Sequence, residues 1–122
     1  MKRRNMKRPE DALQQEVVRH LRTRPMAGVF FFHVPNHKAR ANYLKAMGMV
    51  EGMTDLVIIK DGRAYALELK RPKGTKSLDQ IACHACLRGA GVDPYTAYGL
   101  PDALQWLERM GFLRPEITVE AA

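Results

Sequence analysis

The sequence predicts a small α/β domain, a mixed β-sheet with an antiparallel hairpin at its centre and helices on its flanks. Three observations predict it. Asp61-Gly62, the strongest short signal for a two-residue hairpin loop, sits between two strand-like runs. Stretches of helical period alternate with apolar, β-branched runs along the chain. Helix-start signals stand where those helical stretches begin. The expected order is helix, strand, helix, strand, strand, helix, strand, helix. At 122 residues the chain argues for one domain with one modest core. We assign residues 9–111 to it, with a basic tail at 1–8 and a C-terminal tail at 112–122.

The first eight residues carry Lys2, Arg3, Arg4, Lys7 and Arg8, a run that usually stays solvated; a nuclear address is its other habitual reading, and phosphate contacts are a third. Pro9, Glu10 and Asp11 mark a helix start. Leu13, Val17 and Leu21 form its inward stripe, with Glu16 and His20 on or beside it. A carboxylate there needs a partner, and Arg19 or His20 is at hand. Val29 to Val34 is a continuous apolar run closed by Pro35-Asn36, which reads as a strand buried on both faces. Lys38 to Met47 reads as a short helix ended by Gly48. It carries Lys38, Arg40 and Lys45, either a solvated face or a face that grips phosphates. Gly48, Gly52 and three methionines then read as a flexible entry to the hairpin.

After the hairpin, Pro72 ends the strand, and a basic loop holds Lys73 and Lys76. Ser77-Leu78-Asp79-Gln80 fits a capping box. The helix it opens reaches about Arg88, with Leu78, Ile81, Ala82 and Ala85 expected on the inner face. Val92 to Tyr98 is a strand broken by Pro94, hence irregular or at an edge. Leu100 to Met110 is the last helix, with Leu104, Trp106 and Leu107 packing inward.

Composition narrows the partners. Net charge is +7, and such a surplus suits a polyanion, nucleic acid before acidic membrane. No segment has the length and apolarity of a membrane span or a signal peptide, so the expectation is a cytoplasmic protein without a membrane partner. The two cysteines, Cys83 and Cys86, flank His84 within a helix. Half a zinc site is one reading; small thiols facing the core is the one we take, since no second Cys/His cluster stands at finger spacing.

The hairpin holds the chemistry. With Asp61-Gly62 as the loop, Lys60 pairs with Arg63, and each step outward keeps the offset until Asp55 lands opposite Glu68. Asp55, Val57 and Ile59 then share a face with Ala64, Ala66, Glu68 and Lys70. Opposed side chains have Cβ atoms roughly 4.5–5.5 Å apart, and like charges there destabilise the sheet. A divalent cation resolves the conflict, because Mg²⁺ is held by one or two carboxylates with waters and phosphate oxygens. Lys70 can orient a water or stabilise charge developing on a phosphate. A salt bridge at a sheet end is the alternative that spacing alone leaves open.

At these residues the chain resembles a known family. Asp55, twelve intervening residues, then Glu68-Leu69-Lys70 resembles the PD-(D/E)xK nuclease core. With His33-Val34-Pro35-Asn36, Lys45-Ala46-Met47-Gly48, Glu51-Gly52-Met53-Thr54 and Gln80, residues 10 to 100 resemble a VRR-NUC domain, the virus-type replication-repair nuclease module. Thr54 is a departure, since the family usually has Pro before the metal-binding Asp. The resemblance implies a restriction-endonuclease-like fold and a Mg²⁺ or Mn²⁺ cofactor held by Asp55, Glu68 and the Leu69 carbonyl. It implies that Glu16, as the first-helix acid, completes the site directly or through water. It gives Lys70 the activation of water and Gln80 the orientation of Lys70 or that water. His33, Asn36, Lys38, Arg40, Lys45, Arg71 and Lys73 become expected substrate contacts.

The function these expectations describe is metal-dependent hydrolysis of DNA, structure-selective on branched DNA in the manner of a Holliday-junction resolvase. A homodimer in a bacterial or phage-infected cell, serving replication, recombination or repair, is the context the resemblance implies. Three alternatives stand beside it. One is a non-specific or nicking nuclease acting with a partner. Another is a DNA-binding module that does not cleave, though such a module has no reason to keep opposed acids. The last is a zinc-binding regulator using Cys83, His84 and Cys86, which lacks a fourth local ligand.

Overall fold

The computed structural model describes residues 9–35 and 41–116. Helix α1 (Pro9–Thr23) leads to strand β1 (Phe30–His33), helix α2 (Ala41–Ala46), strands β2 (Leu56–Lys60) and β3 (Arg63–Lys70), helix α3 (Leu78–Gly89), strand β4 (Tyr95–Tyr98) and helix α4 (Leu100–Arg109). This is the order the sequence predicts. The sheet runs β1-β2-β3-β4; β1 and β3 are each antiparallel to β2, and β4 is parallel to β3. A parallel neighbour cannot be reached by a tight turn, so α3 serves as the crossover. β4 begins directly after Pro94, at the sheet edge where a missing N–H costs no ladder bond.

The hairpin forms for the reason its loop residues give. Asp61 and Gly62 both have positive φ, 53° and 75°, as a type I′ turn requires. Lys60 pairs with Arg63, and the register continues to Leu56 opposite Leu67. One further step sets Asp55 against Glu68.

One face of the sheet is the hydrophobic core. Leu56, Ile58, Leu67 and Leu69 pack with Val17 and Leu21 of α1 and with Ala103, Trp106 and Leu107 of α4. Trp106 is a core residue, stacked on Tyr95 at 5.0 Å between ring centroids. His20 is likewise structural: it is buried, and its Nδ1 accepts from Arg24 Nε at 2.9 Å. The packed chain extends beyond residue 111, where we expected a tail to begin. Phe112 and Leu113 are buried, and Phe112 sets its ring edge-on against Trp106 and Tyr65. Leu113 bridges to Pro25, and the Arg114 amide donates to the Arg24 carbonyl.

The other face departs from expectation in two places. β1 is an edge strand and is not buried on both sides: Phe30, Phe32 and His33 are exposed, and only Phe31 is half-buried. An apolar run shows that a strand is there, but not whether anything covers it. α3 turns a different side inward than its apolar residues suggest. Leu78 is 84% exposed and Ile81 50%, while Cys83 and His84 are buried. The sheet face beneath it carries Glu68 and Lys70, so the helix presents polar side chains there. Cys83 faces inward as expected and Cys86 does not. Among the described residues no helix is long and apolar enough to cross a membrane.

The loop before β2 is pinned rather than flexible. Gly52 is buried with φ of 79°, and a Cβ there would overlap the Asp79 carbonyl and come within 2.6 Å of Gln80 N. The loop therefore touches the first turn of α3 through bare backbone. Gly28 has the same φ of 79°, but a Cβ on it meets nothing within 4 Å. Gly28→Ala thus reports backbone strain alone, about 1 kcal/mol or slightly more. Gly52→Ala adds the collision and should lower the melting temperature several degrees further in thermal denaturation; equal losses would show that the loop does not depend on this contact.

Candidate active site

The opposed carboxylates are held differently. Asp55 follows a buried Thr54, whose hydroxyl donates to the Leu56 carbonyl at 3.2 Å. That bond ties down the loop at the entry to β2. Asp55 Oδ2 accepts from the Leu69 amide at 2.7 Å, so the carboxylate is fastened across the hairpin to the strand bearing Glu68. Glu68 itself is 1% exposed. Its Oε2 accepts from Gln80 Nε2 at 3.1 Å.

Gln80 serves the helix cap and the site at once. Ser77 Oγ accepts from the Gln80 amide at 3.2 Å, and Gln80 Oε1 accepts from the Ser77 amide at 2.9 Å. This capping box decides which way the side chain turns. Its oxygen must meet the Ser77 N–H, so its NH₂ is left for Glu68.

Burial raises the Glu68 carboxyl to about 9, followed in effect by the Asp55 charge, a hydrogen bond with Asp55 and the charge of Glu10; Lys70 opposes them. Lys70 lies two residues along on the same face and is also buried. His84 lies behind Glu68, its Nε2 3.6 Å from Oε1. Burial, reinforced by Lys76, Arg88 and Lys70, lowers the His84 pKa and favours the neutral ring.

The structure thus brings together Asp55, Glu68, Leu69, Lys70 and Gln80. It does not bring Glu16. That carboxylate is exposed and paired with Arg19 at 3.0 Å, and the other charge acting on it is His20. Glu10 is the first-helix acid at the site, with Oε2 accepting from the Arg71 amide at 3.3 Å. The physical reason is helix phase. At about 100° per residue Glu10, Gln14, Val17 and Leu21 share one stripe, whereas Glu16 is a full residue step from Val17. The Glu10-x-x-x-Gln14 spacing ahead of Val17 was the signal available in the sequence.

His33 Nδ1 lies 2.7 Å from the Asp55 carbonyl and 2.9 Å from Gln14 Nε2, which joins the end of β1 to the loop carrying Asp55. Gln14 is a second site neighbour that the sequence reading missed. Arg71 and Lys73 are exposed just beyond Lys70. Lys45 is paired with Glu51 at 3.1 Å. Asn36, Lys38 and Arg40 lie outside the described residues. Cys83 and Cys86 diverge, one buried with its sulfur 3.9 Å from Met53 Sδ and the other exposed.

Among the described residues no three His, Cys, Asp or Glu side chains cluster as a metal cage. The donors present still suit a hard divalent cation that keeps its waters. Two carboxylates repel each other when ionised, and Glu68 Oε1 is buried without a hydrogen-bond partner among the described residues. Asp55 and Glu68 would hold such an ion, with Glu10 within electrostatic reach.

A four-stranded mixed sheet flanked by helices, with opposed acids on its central hairpin, defines an α/β core. Comparison with solved structures is more specific: the chain has the fold of the VRR-NUC domain. One chain described as a VRR_NUC domain protein matches with a TM-score of 0.70 at 19% identity, covering 85% of this chain and 88% of that one. A second, described as a VRR_NUC domain, matches with a TM-score of 0.60 at 16% identity over 81% and 94%. No family model matches the sequence, and no curated protein matches it.

The raised Glu68 carboxyl has a consequence for stability. A carboxyl with a raised folded pKa favours folding most below its unfolded value, and that contribution is lost as pH climbs from about 4.5 toward 9. In EDTA the protein should therefore melt at progressively lower temperature across this window. Glu68→Gln should flatten that slope and melt several degrees above wild type at pH 8. A Gln variant less stable than wild type at pH 8 would show that keeping this buried carboxyl protonated carries no such cost.

Proposed function

We propose that this chain is a metal-dependent endonuclease that hydrolyses DNA phosphodiester bonds. The observation that carries the reading is the Asp55–Glu68 pair, opposed across the hairpin with Lys70 on the same face, in a VRR-NUC fold. In this reading Asp55, Glu68 and the Leu69 carbonyl hold Mg²⁺ or Mn²⁺, and Glu10 takes the place first given to Glu16, directly or through water. Once bound there, such an ion would supply Lewis-acid stabilisation of the scissile phosphate and lower the pKa of a bound water. Lys70 orients that water and offsets charge as it develops. Gln80 keeps Glu68 in place, and with water as the nucleophile the chain would need no covalent intermediate. Arg71 and Lys73 flank the site as phosphate contacts, and His33 braces the Asp55 loop.

Branched DNA as the preferred substrate completes the proposal. Two symmetric cuts across a junction need two active sites, and a C₂ dimer of this chain supplies them. The exposed row of Leu78 and Ile81 on α3 is an apolar surface that such a dimer would cover. The setting is DNA replication, recombination or repair in the cytoplasm of a bacterial or phage-infected cell.

The test is cleavage of labelled four-way junction, single-stranded and duplex DNA in Mg²⁺, Mn²⁺ or EDTA, with sedimentation run alongside to give the oligomeric state. Junction cutting that needs metal and is lost at least 100-fold in Glu68→Ala and Lys70→Ala, while DNA affinity persists, is the expected result. Cutting of all three DNAs would leave a nuclease without branch selectivity. Wild-type cleavage by either variant would overturn the site, and binding without any cleavage would favour a DNA-binding module.

A further inference from the structure

α3 reaches Glu68 from two successive turns. Gln80 donates to Oε2, and His84, four residues later on the same face, stands 3.6 Å from Oε1 through Nε2. The imidazole is 1% exposed. Among the described residues neither of its ring nitrogens has a hydrogen-bond partner, and neither has Glu68 Oε1. Three buried polar atoms thus lack partners among the described residues, two of them facing each other, where an apolar side chain would leave no such deficit. Space-filling does not account for an imidazole here. A donor held in reserve for the one carboxylate oxygen that Gln80 leaves open does.

We propose that His84 is a positioning residue for Glu68: its Nε2–H closes on Oε1 and, with Gln80 on Oε2, fixes the plane of the carboxylate facing Asp55. A carboxylate oxygen accepts more than one bond, so each oxygen keeps a lone pair for a cation on the Asp55 side. The inference rests on the metal-dependent reading above. It adds that α3 sets the affinity for the ion without touching it, as outer hydrogen bonds to metal ligands do.

The experiment uses the full chain with DNA absent. Mn²⁺ binding is followed by electron paramagnetic resonance of the free ion, and folding by melting in EDTA. His84→Leu keeps the volume and loses the donor; His84→Gln carries an amide N–H to about the position of Nε2. We expect His84→Leu to bind Mn²⁺ about 10- to 100-fold more weakly, and His84→Gln to stay close to wild type. Wild-type affinity in His84→Leu, or equal loss in both variants, would overturn the proposal. A measurement on wild type does not depend on any variant folding. Histidine ¹⁵N spectra should show His84 as the Nε2–H tautomer, with that proton shifting when Mg²⁺ is added. An Nδ1–H tautomer would overturn the assignment. If wild type and Glu68→Ala both fail to bind Mn²⁺, the nuclease reading falls and takes this inference with it; a normal wild type with an unaffected His84→Leu removes only the role of His84.

Discussion

Two carboxylates face each other across one turn-defined pair of strands, and much of the molecule is arranged around keeping them there. Like charges opposed in a sheet push the strands apart. Here the strain is contained from several directions. The Leu69 amide holds Asp55, Gln80 holds Glu68, and Lys70 supplies a positive charge on the same face. The core on the reverse face, through Leu56, Leu67 and Leu69, keeps the strands in register whatever the charges prefer. Apolar burial on one side of a hairpin thus sustains an unfavourable electrostatic arrangement on the other.

The same constraint explains the odd composition of α3. A crossover helix ordinarily lays its apolar stripe on the sheet. This one leaves Leu78 and Ile81 in solvent and turns Gln80 and His84 inward, because the surface beneath it carries Glu68 and Lys70. Its capping box is part of the same device. By engaging the oxygen of Gln80, the cap aims the nitrogen at Glu68, so helix initiation and site geometry depend on one side chain. Gly52 lets the Asp55 loop lie directly on this first turn, which ties both acids to a single rigid point.

Much of this was legible in the chain. Asp61-Gly62 sets the turn type, the turn type sets the register, and the register places Asp55 against Glu68 without any tertiary information. The capping box, the strand edge after Pro94 and the order of all eight elements were equally local, since each follows from backbone preferences within a few residues. The resemblance to the VRR-NUC domain rested on those local strings, and the fold agrees with it.

What only the tertiary structure decided concerns direction and cover. The stripe that Glu10 shares with Val17 and Leu21 gives the phase of α1, but that its first turn reaches Arg71 beside the hairpin acids depends on how the helix packs against the sheet. Whether β1 is central or at an edge depends on what lies beside it, and the run Phe30-Phe31-Phe32 carries no information about neighbours. That Phe112 and Leu113 belong to the core follows from the turn at Gly111 bringing them back against Trp106 and Pro25. Local pattern determines which structure forms; the faces that meet are settled only when the elements pack, because packing joins residues far apart in the chain.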